Sequence, residues 1–406
     1  MAADPSIRDA ARDLDREGAA AVTDLLRSLP ARPRLLGLGE PTHGEEALPE
    51  LRDEIFRELV EHEGYRSIAI ESDALAGLVV DEYVTTGAGS LDEVMRTGFS
   101  HGVQELEANR ELVRWMRAYN QDRPEPERLR FFGFDAPLEM MSAASPRRAL
   151  TALHDYLRGR PLPCTIDTID RLIGDDDRWT DTAAAMDPSR SVGRLPEVAE
   201  LRLLADDLVA LLTAYSPHLI ATTSREEWWR ACLYGRTAMG LLRYHAGMAD
   251  QSPDRVWRLM ALRDAMMADN LHAIAQHAAP TLVFAHNRHL QREKSTWQLA
   301  DMALEWWSAG AIVGSQLGDG YAVLALALGS APHHEIGTPA PDTVEGVLST
   351  LPGNRYLIDP HALAARGAKL VPRTDTTARY GYFPLDPDHL GETDGIIFIK
   401  NIPARD

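Results

Sequence analysis

Cysteine is almost missing from this 406-residue chain: only Cys164 and Cys232 occur, far apart. They offer neither a disulfide framework nor a thiolate metal site, and a reducing cytoplasm suits the chain best. Long apolar runs are also missing. The most apolar stretches, such as Tyr321 to Leu328, are far too short to span a bilayer and read as buried strands. The opening MAADPSIRDAARDLDREG is polar and heavily charged, without the apolar stretch of a secretory signal, so export is not expected. Basic residues are in deficit, 42 Lys and Arg against 61 Asp and Glu for a net charge of −19. An affinity for nucleic acid or an anionic membrane would need a local basic patch, and the sequence shows none. The acidity reads as a soluble, self-repelling surface, and the expected partner is a small-molecule substrate. What remains is 45% hydrophobic and 25% charged, a globular composition long enough for one large domain with an insertion or for two domains.

Four short apolar runs read as buried strands: Arg34 to Gly39, Ser67 to Glu71, Leu129 to Phe134 and Thr281 to Ala285. Between the first two, Leu48, Leu51, Ile55, Leu59 and Val60 keep the spacing of an amphipathic helix, with Pro49 near its start. That is a β-α-β unit and implies a parallel sheet. From Ala144 to Gln276 the pattern is almost wholly helical. The fold expected is therefore α/β: a mostly parallel sheet flanked by helices, residues 1–143 and 278–406, with 144–277 as an α-helical insertion walling one side of the cleft. After Thr281 the pattern predicts a helix over Trp297 to Ala309 and strands over Ala311 to Gly314, Ala322 to Leu328, Arg355 to Ile358 and Ile396 to Lys400. Gly329 to Asp394, rich in Pro, Gly and Asp, reads mostly as loops. The pairs Trp228-Trp229, Trp306-Trp307, Met140-Met141 and Met266-Met267 are expected in the core rather than lining a pocket.

In an open parallel sheet, ligands bind outside the carboxyl ends of the strands, where the loops converge. The first strand is followed by Glu40-Pro41-Thr42-His43-Gly44, the second ends at Glu71, the third runs into Asp135 and the fourth into His286-Asn287-Arg288-His289. A single polar strand end has an ordinary structural explanation; four at one rim make a candidate site. Its chemistry is coherent, since a carboxylate bonded to an imidazole fixes the tautomer, raises the basicity and lets the ring take a proton from water.

At these residues the sequence resembles the erythromycin esterases, which hydrolyse the macrolactone ester of macrolide antibiotics. The resemblance rests on a G-E-x-T-H-G loop (Gly39 to Gly44), a strand ending in Glu71, an F-x-G-x-D strand end (Phe131 to Asp135), an R-D-x-x-M-x-x-N helix (Arg263 to Asn270) and an A-H-N-x-H turn (Ala285 to His289). It implies that His43 is the general base, that Glu40 and Glu71 orient it or other site groups, and that His286 belongs to the active site. Arg52, Asp135, Arg263 and His289 are implied as substrate-binding, although a solvated helix face is the plainer reading of Arg52. One departure is Pro41, which has no N–H to offer an oxyanion; a donor would have to come from Thr42 onward or from a side chain such as His286. No cofactor is implied.

Five other readings compete. Gly98-Phe99-Ser100-His101-Gly102 matches the G-x-S-x-G elbow of serine esterases, but the residues before it are charged and helix-like where a strand is needed. Metal-dependent hydrolysis could use the same histidines and carboxylates, yet no H-E-x-x-H spacing occurs. Acyl transfer, cyclisation or elimination would need the same base and acid in a site that excludes water. A binding protein without catalysis would be expected to lose part of the set Glu40, His43, Glu71 and His286. Dinucleotide binding through Gly37 and Gly39 fails because Thr42 stands where the third glycine belongs.

Overall fold

The computed structural model describes residues 5–139, 142–299, 301–365, 370–376 and 381–403, so the pair Met140-Met141 lies outside the described residues. In chain order the strands are β1 (Ala11–Asp13), β2 (Leu35–Glu40), β3 (Ser67–Asp73), β4 (Arg130–Asp135), β5 (Leu138–Glu139), β6 (Ser142–Ala143), β7 (Thr281–His286), β8 (Lys294–Leu299), β9 (Met302–Trp307), β10 (Tyr321–Ser330), β11 (Arg355–Ile358) and β12 (Gly395–Asn401). Eight form one sheet in the order β1-β11-β12-β10-β2-β7-β3-β4. From β12 to β4 every neighbouring pair is parallel, while β11 and β1 run antiparallel at one edge. The four strands expected around the site are β2, β3, β4 and β7, each running one or two residues further at its carboxyl end than the apolar run suggests.

Both faces of this sheet are covered, which is why its strands read as continuous apolar runs. Successive side chains alternate between two cores. Leu36, Leu38, Ile68, Phe131 and Leu282 pack with Leu51, Ile55 and Phe56 of the helix Ala47–His62. Leu35, Ala69, Phe132 and Val283 pack on the other face with Leu153, Leu208, Leu242 and Leu271 from the helices that follow β6. Those helices include Arg147–Tyr156, Pro196–Ala214, Arg225–Met248 and Arg255–Ala278. No single helix among the described residues is long and apolar enough to cross a membrane.

The ladder between β2 and β10 stops at Leu38 and Leu324. Beyond it the side chain of Asn287 stands in for a strand: Nδ2 donates to Leu326 O at 2.8 Å and Oδ1 accepts from Leu326 N at 3.2 Å. Gly39 makes room, since a Cβ there would come within 2.0 Å of Asn287 Oδ1. The glycine of the first motif and the asparagine of the last are thus one packing unit.

Three expectations fail after β7. Trp297 to Ala309 is not a helix: β8 and β9 form an antiparallel hairpin, in which Leu304 and Trp306 are buried while Glu305 and Trp307 face outward. That period-two alternation is a strand signal, and it also overturns the expectation of a core position for Trp307. Ala311 to Gly314 is not a strand but part of the helix Ala309–Leu317, capped by Ser308 Oγ on Ala311 N at 3.0 Å. The run Gly329 to Asp394, read as loops, also holds the helices Val344–Leu348 and Pro360–Ala364.

Candidate active site

The adjacent strands β2, β7, β3 and β4 bring Glu40, His286, Glu71 and Asp135 to one edge of the sheet; Glu40 and His286 are paired across β2 and β7. All four are buried. The chain turns after Glu40 through Pro41 to Gly44, where Gly44 takes φ +76, and brings His43 back over the strand end. His43 Nδ1 lies 2.6 Å from Glu40 Oε1, and Nε2 lies 4.0 Å from Glu71 Oε1 with half of the side chain open to solvent. Burial pulls His43 down, but the charge of Glu71 and the hydrogen bond to Glu40 outweigh it and push the imidazole up to about 9. Burial raises Glu40, partly offset by His43. The pair therefore holds one proton between them, mostly on the imidazole.

Glu71 is the hub. Oε2 accepts from the backbone N–H of His286 at 2.8 Å, and Oε1 accepts from Arg263 Nη2 at 3.0 Å. His289 Nε2 lies 3.4 Å from the same oxygen. Burial disfavours the carboxylate, yet His289, His43 and Arg263 hold it well below its usual range, so it stays ionised. His289 is itself held by Asp264, whose Oδ1 accepts from Nδ1 at 2.9 Å. Asp264 also accepts from Trp306 Nε1 at 2.7 Å and Ala309 N at 2.8 Å. Burial depresses His289, but Asp264 and Glu71, the two carboxylates it lies between, raise it above the ordinary imidazole value.

His286 behaves differently. Its Nδ1 accepts from Arg288 N at 3.1 Å, which requires the proton on Nε2, and Nε2–H donates to Pro41 O at 3.2 Å and Gly381 O at 3.1 Å. Burial, then the charge of His43, hold it well below 6.5, so the ring is neutral. Both nitrogens are committed to backbone, and the side chain pins the loop that carries His43 instead of facing the cleft with a free donor. The expectation that His286 might replace the missing Pro41 N–H is corrected on that ground.

Asp135 ends β4 and gathers two cations. Its Oδ2 accepts from Arg263 Nε at 3.0 Å and Nη2 at 2.6 Å, and lies 3.0 Å from His101 Nε2. Burial opposes ionisation, but Arg263 and His101 keep the carboxyl below its usual value. Arg263 Nη1 makes no hydrogen bond among the described residues. Arg52 is not on a solvated face. It is fully buried, with Nε 2.8 Å from Asp53 Oδ1, Nη1 2.8 Å from Asn109 Oδ1 and the guanidinium over the Phe284 ring at 5.0 Å. Its charge reaches Glu40 Coulombically. Ser100 follows the helix Leu91–Thr97, not a strand. Its Oγ accepts from Asp73 N at 2.8 Å and lies 3.3 Å from Ser72 Oγ, a loop-holding role.

Three residues of the constellation were missed in the sequence: Asp264, Trp306 and His101. Asp264 was visible only as the D of R-D-x-x-M-x-x-N. Trp306 lay in a segment read as helix. His101, with φ 60, sat inside the discarded elbow motif.

A family model described as erythromycin esterase matches residues 60–402. The loop with Glu40 and His43 lies ahead of that span, and its place in the site rests on the geometry above. Among solved structures the chain is similar to a protein from Bacillus cereus, with a TM-score of 0.73 at 17% identity over 97% of this chain and 95% of that one. It is similar to a succinoglycan biosynthesis protein, with a TM-score of 0.70 at 16% identity over 97% and 95%. A mutant of the erythromycin esterase EreC in its open conformation gives a TM-score of 0.64 at 17% identity over 98% and 96%. At these identities the likeness is one of fold.

Proposed function

The chain belongs to the erythromycin esterase family, and from that premise we propose that it is a hydrolase cleaving an ester or lactone by water activated at His43, with no covalent enzyme intermediate. The observation that carries the reading is the Glu40–His43–Glu71 geometry. Nδ1 is held by Glu40 at 2.6 Å, which leaves Nε2 for water in a half-open position beside Glu71.

In the proposed cycle neutral His43 takes a proton from water through Nε2 while the water oxygen bonds to the carbonyl carbon. The imidazolium formed is stabilised by Glu40 and Glu71. The carbonyl oxygen becomes an oxyanion, for which we assign Arg263 as donor, a fixed cation held by Asp135 and Glu71. Collapse breaks the bond to the alkoxide, which takes the proton back from His43 and leaves as an alcohol; the product acid carries one oxygen from water. His289 and Arg52 act here through charge and position. We assign 1–143 and 278–406 to the catalytic core and 144–277 to one wall of the cleft, since Arg263 comes from that segment. A macrolide lactone is the proposed substrate class, taken from the family.

The test is mass spectrometry of products from a panel of macrolides and simple lactones in water enriched in heavy oxygen. Ring-opened acid gaining one heavy oxygen, lost in His43→Ala and kept in Ser100→Ala, supports water attack. Product without the label, or activity that disappears with Ser100→Ala in a folded protein, rejects it in favour of acyl transfer or a serine nucleophile.

A further inference from the structure

Two residues past His43 the loop buries a second carboxylate that the proposed chemistry does not use. Glu45 is almost fully buried; its Oε1 accepts from Ala47 N at 3.0 Å, which fixes the carboxylate plane. Its Oε2 is aimed at two adjacent imidazoles, in contact with His333 Nε2 and 3.2 Å from His334 Nε2. Both histidines belong to the turn Pro332–His334 that leaves β10. The turn is rigid: Ala331 and Ile336 exchange backbone hydrogen bonds at 2.9 and 3.1 Å, and the ring centroids of His333 and His334 are 4.5 Å apart.

One ligand atom from each of Glu45, His333 and His334 lies within 4.8 Å of the others, a closeness that the cleft carboxylates and imidazoles do not reach among the described residues. Without an ion each imidazole donates its own Nε2–H to this oxygen; exchange of those protons for a cation turns the same three atoms into ligands. Two imidazoles and a carboxylate are borderline ligands suited to zinc and its first-row neighbours, less so to magnesium or calcium, which take all-oxygen shells. His333 is about a third exposed and His334 and Glu45 are buried, so the site has one open side for a fourth ligand. A carboxylate already fixed by a backbone N–H is the outer support that such ligands ordinarily have.

We propose that Glu45, His333 and His334 bind a divalent ion of the zinc type, which fastens the loop bearing His43 to the carboxyl end of β10. The ion serves as a clamp outside the reacting set. It joins residues almost three hundred positions apart and stiffens the turn on which His43 is mounted.

The full chain, treated with chelator and desalted, is titrated with zinc chloride by calorimetry and with cobalt chloride by visible absorption. One equivalent of zinc is expected to bind and raise Tm, with cobalt giving the intense visible bands of a four-coordinate site. His333→Asn, a change at a position about a third exposed, with circular dichroism used to check that the fold is kept, should weaken zinc at least tenfold and abolish the Tm rise; Glu45→Gln should do the same. His43→Ala should bind as wild type does. Absence of binding to the wild-type chain, unchanged binding in His333→Asn, or loss of binding in His43→Ala, which would put the ion in the cleft, each overturns the proposal.

Discussion

Glu40 and His286 are partners across the last rung of the β2–β7 ladder, and the rung holds them in opposite senses. Burial raises the Glu40 carboxyl, tempered by His43, whereas burial and the charge of His43 depress the His286 imidazole. One is bonded to the imidazole that takes up the proton, and the other stays neutral. Substitutions at the two should therefore read out differently, the first in the chemical step and the second in the order of the loop.

His43→Ala is expected to lower kcat by roughly a hundred- to ten-thousand-fold, the span of a lost general base, with KM little changed. Glu40→Gln keeps the ring in place but withdraws the charge that stabilises its imidazolium, so an intermediate loss is expected. Steady-state kinetics on the best lactone from the panel decides this. Full activity in His43→Ala excludes the assignment.

The pH profile follows from the sign of the His43 shift. With the imidazole raised to about 9, the reactive neutral form grows as pH rises through that value. In chelator-treated protein kcat/KM should climb across neutrality, and its alkaline limb should lie above the ordinary imidazole value near about 6.5. A profile already level at neutral pH is incompatible with His43 as the base.

Stability should fall with acid in two stages. His286 is neutral in the fold but protonates when unfolded, so its contribution is complete above about 6.5 and is lost as pH falls below that value. Glu71 and Asp135 are depressed in the fold, so theirs is present above about 4 and disappears below. Thermal melts from neutral to acid pH should show both, and His286→Asn should flatten the upper stage while lowering Tm overall. An unchanged slope in the variant would assign that stage elsewhere.

Arg263→Lys keeps the charge and loses the fork that spans Asp135 and Glu71. A fall in kcat with the fold retained is expected. Arg263→Ala should be destabilised by about 3–5 kcal/mol, because two buried carboxylates lose their shared partner. Equal activity in Arg263→Lys would remove the guanidinium from the proposed oxyanion role.

The strand ends were legible because buried parallel strands are written as apolar runs whose carboxyl ends give way to a carboxylate or an imidazole, as at Glu40, Glu71, Asp135 and His286. The backbone duty of His286 was not legible, since its acceptors Pro41 and Gly381 are 245 and 95 positions away. Nothing local marks a histidine that will spend both nitrogens on such partners. Arg52 reads as an ordinary helix-face cation because what buries it, Asn109 from a distant helix and the Phe284 ring from β7, is far off in sequence, while its charge partner Asp53 is an ordinary neighbour. The hairpin Lys294 to Trp307 was misread for another reason: two adjacent tryptophans look alike in sequence, and only their alternation separates the buried Trp306 from the exposed Trp307.

Strand β7 lies between β2 and β3 in the sheet, although about two hundred residues separate it from β3 along the chain. A ribosome making this protein completes Glu40, His43, Glu71 and Asp135 long before it reaches Thr281. Until then β2 and β3 have nothing between them, and β2, whose other neighbour β10 is also still to come, is open along both edges. The strand between them arrives late, and with it come the backbone N–H that Glu71 needs and the imidazole that steadies Pro41. A nascent chain or a fragment ending short of it would own most of the reactive side chains and still have no site, while presenting unpaired strand edges to any neighbour.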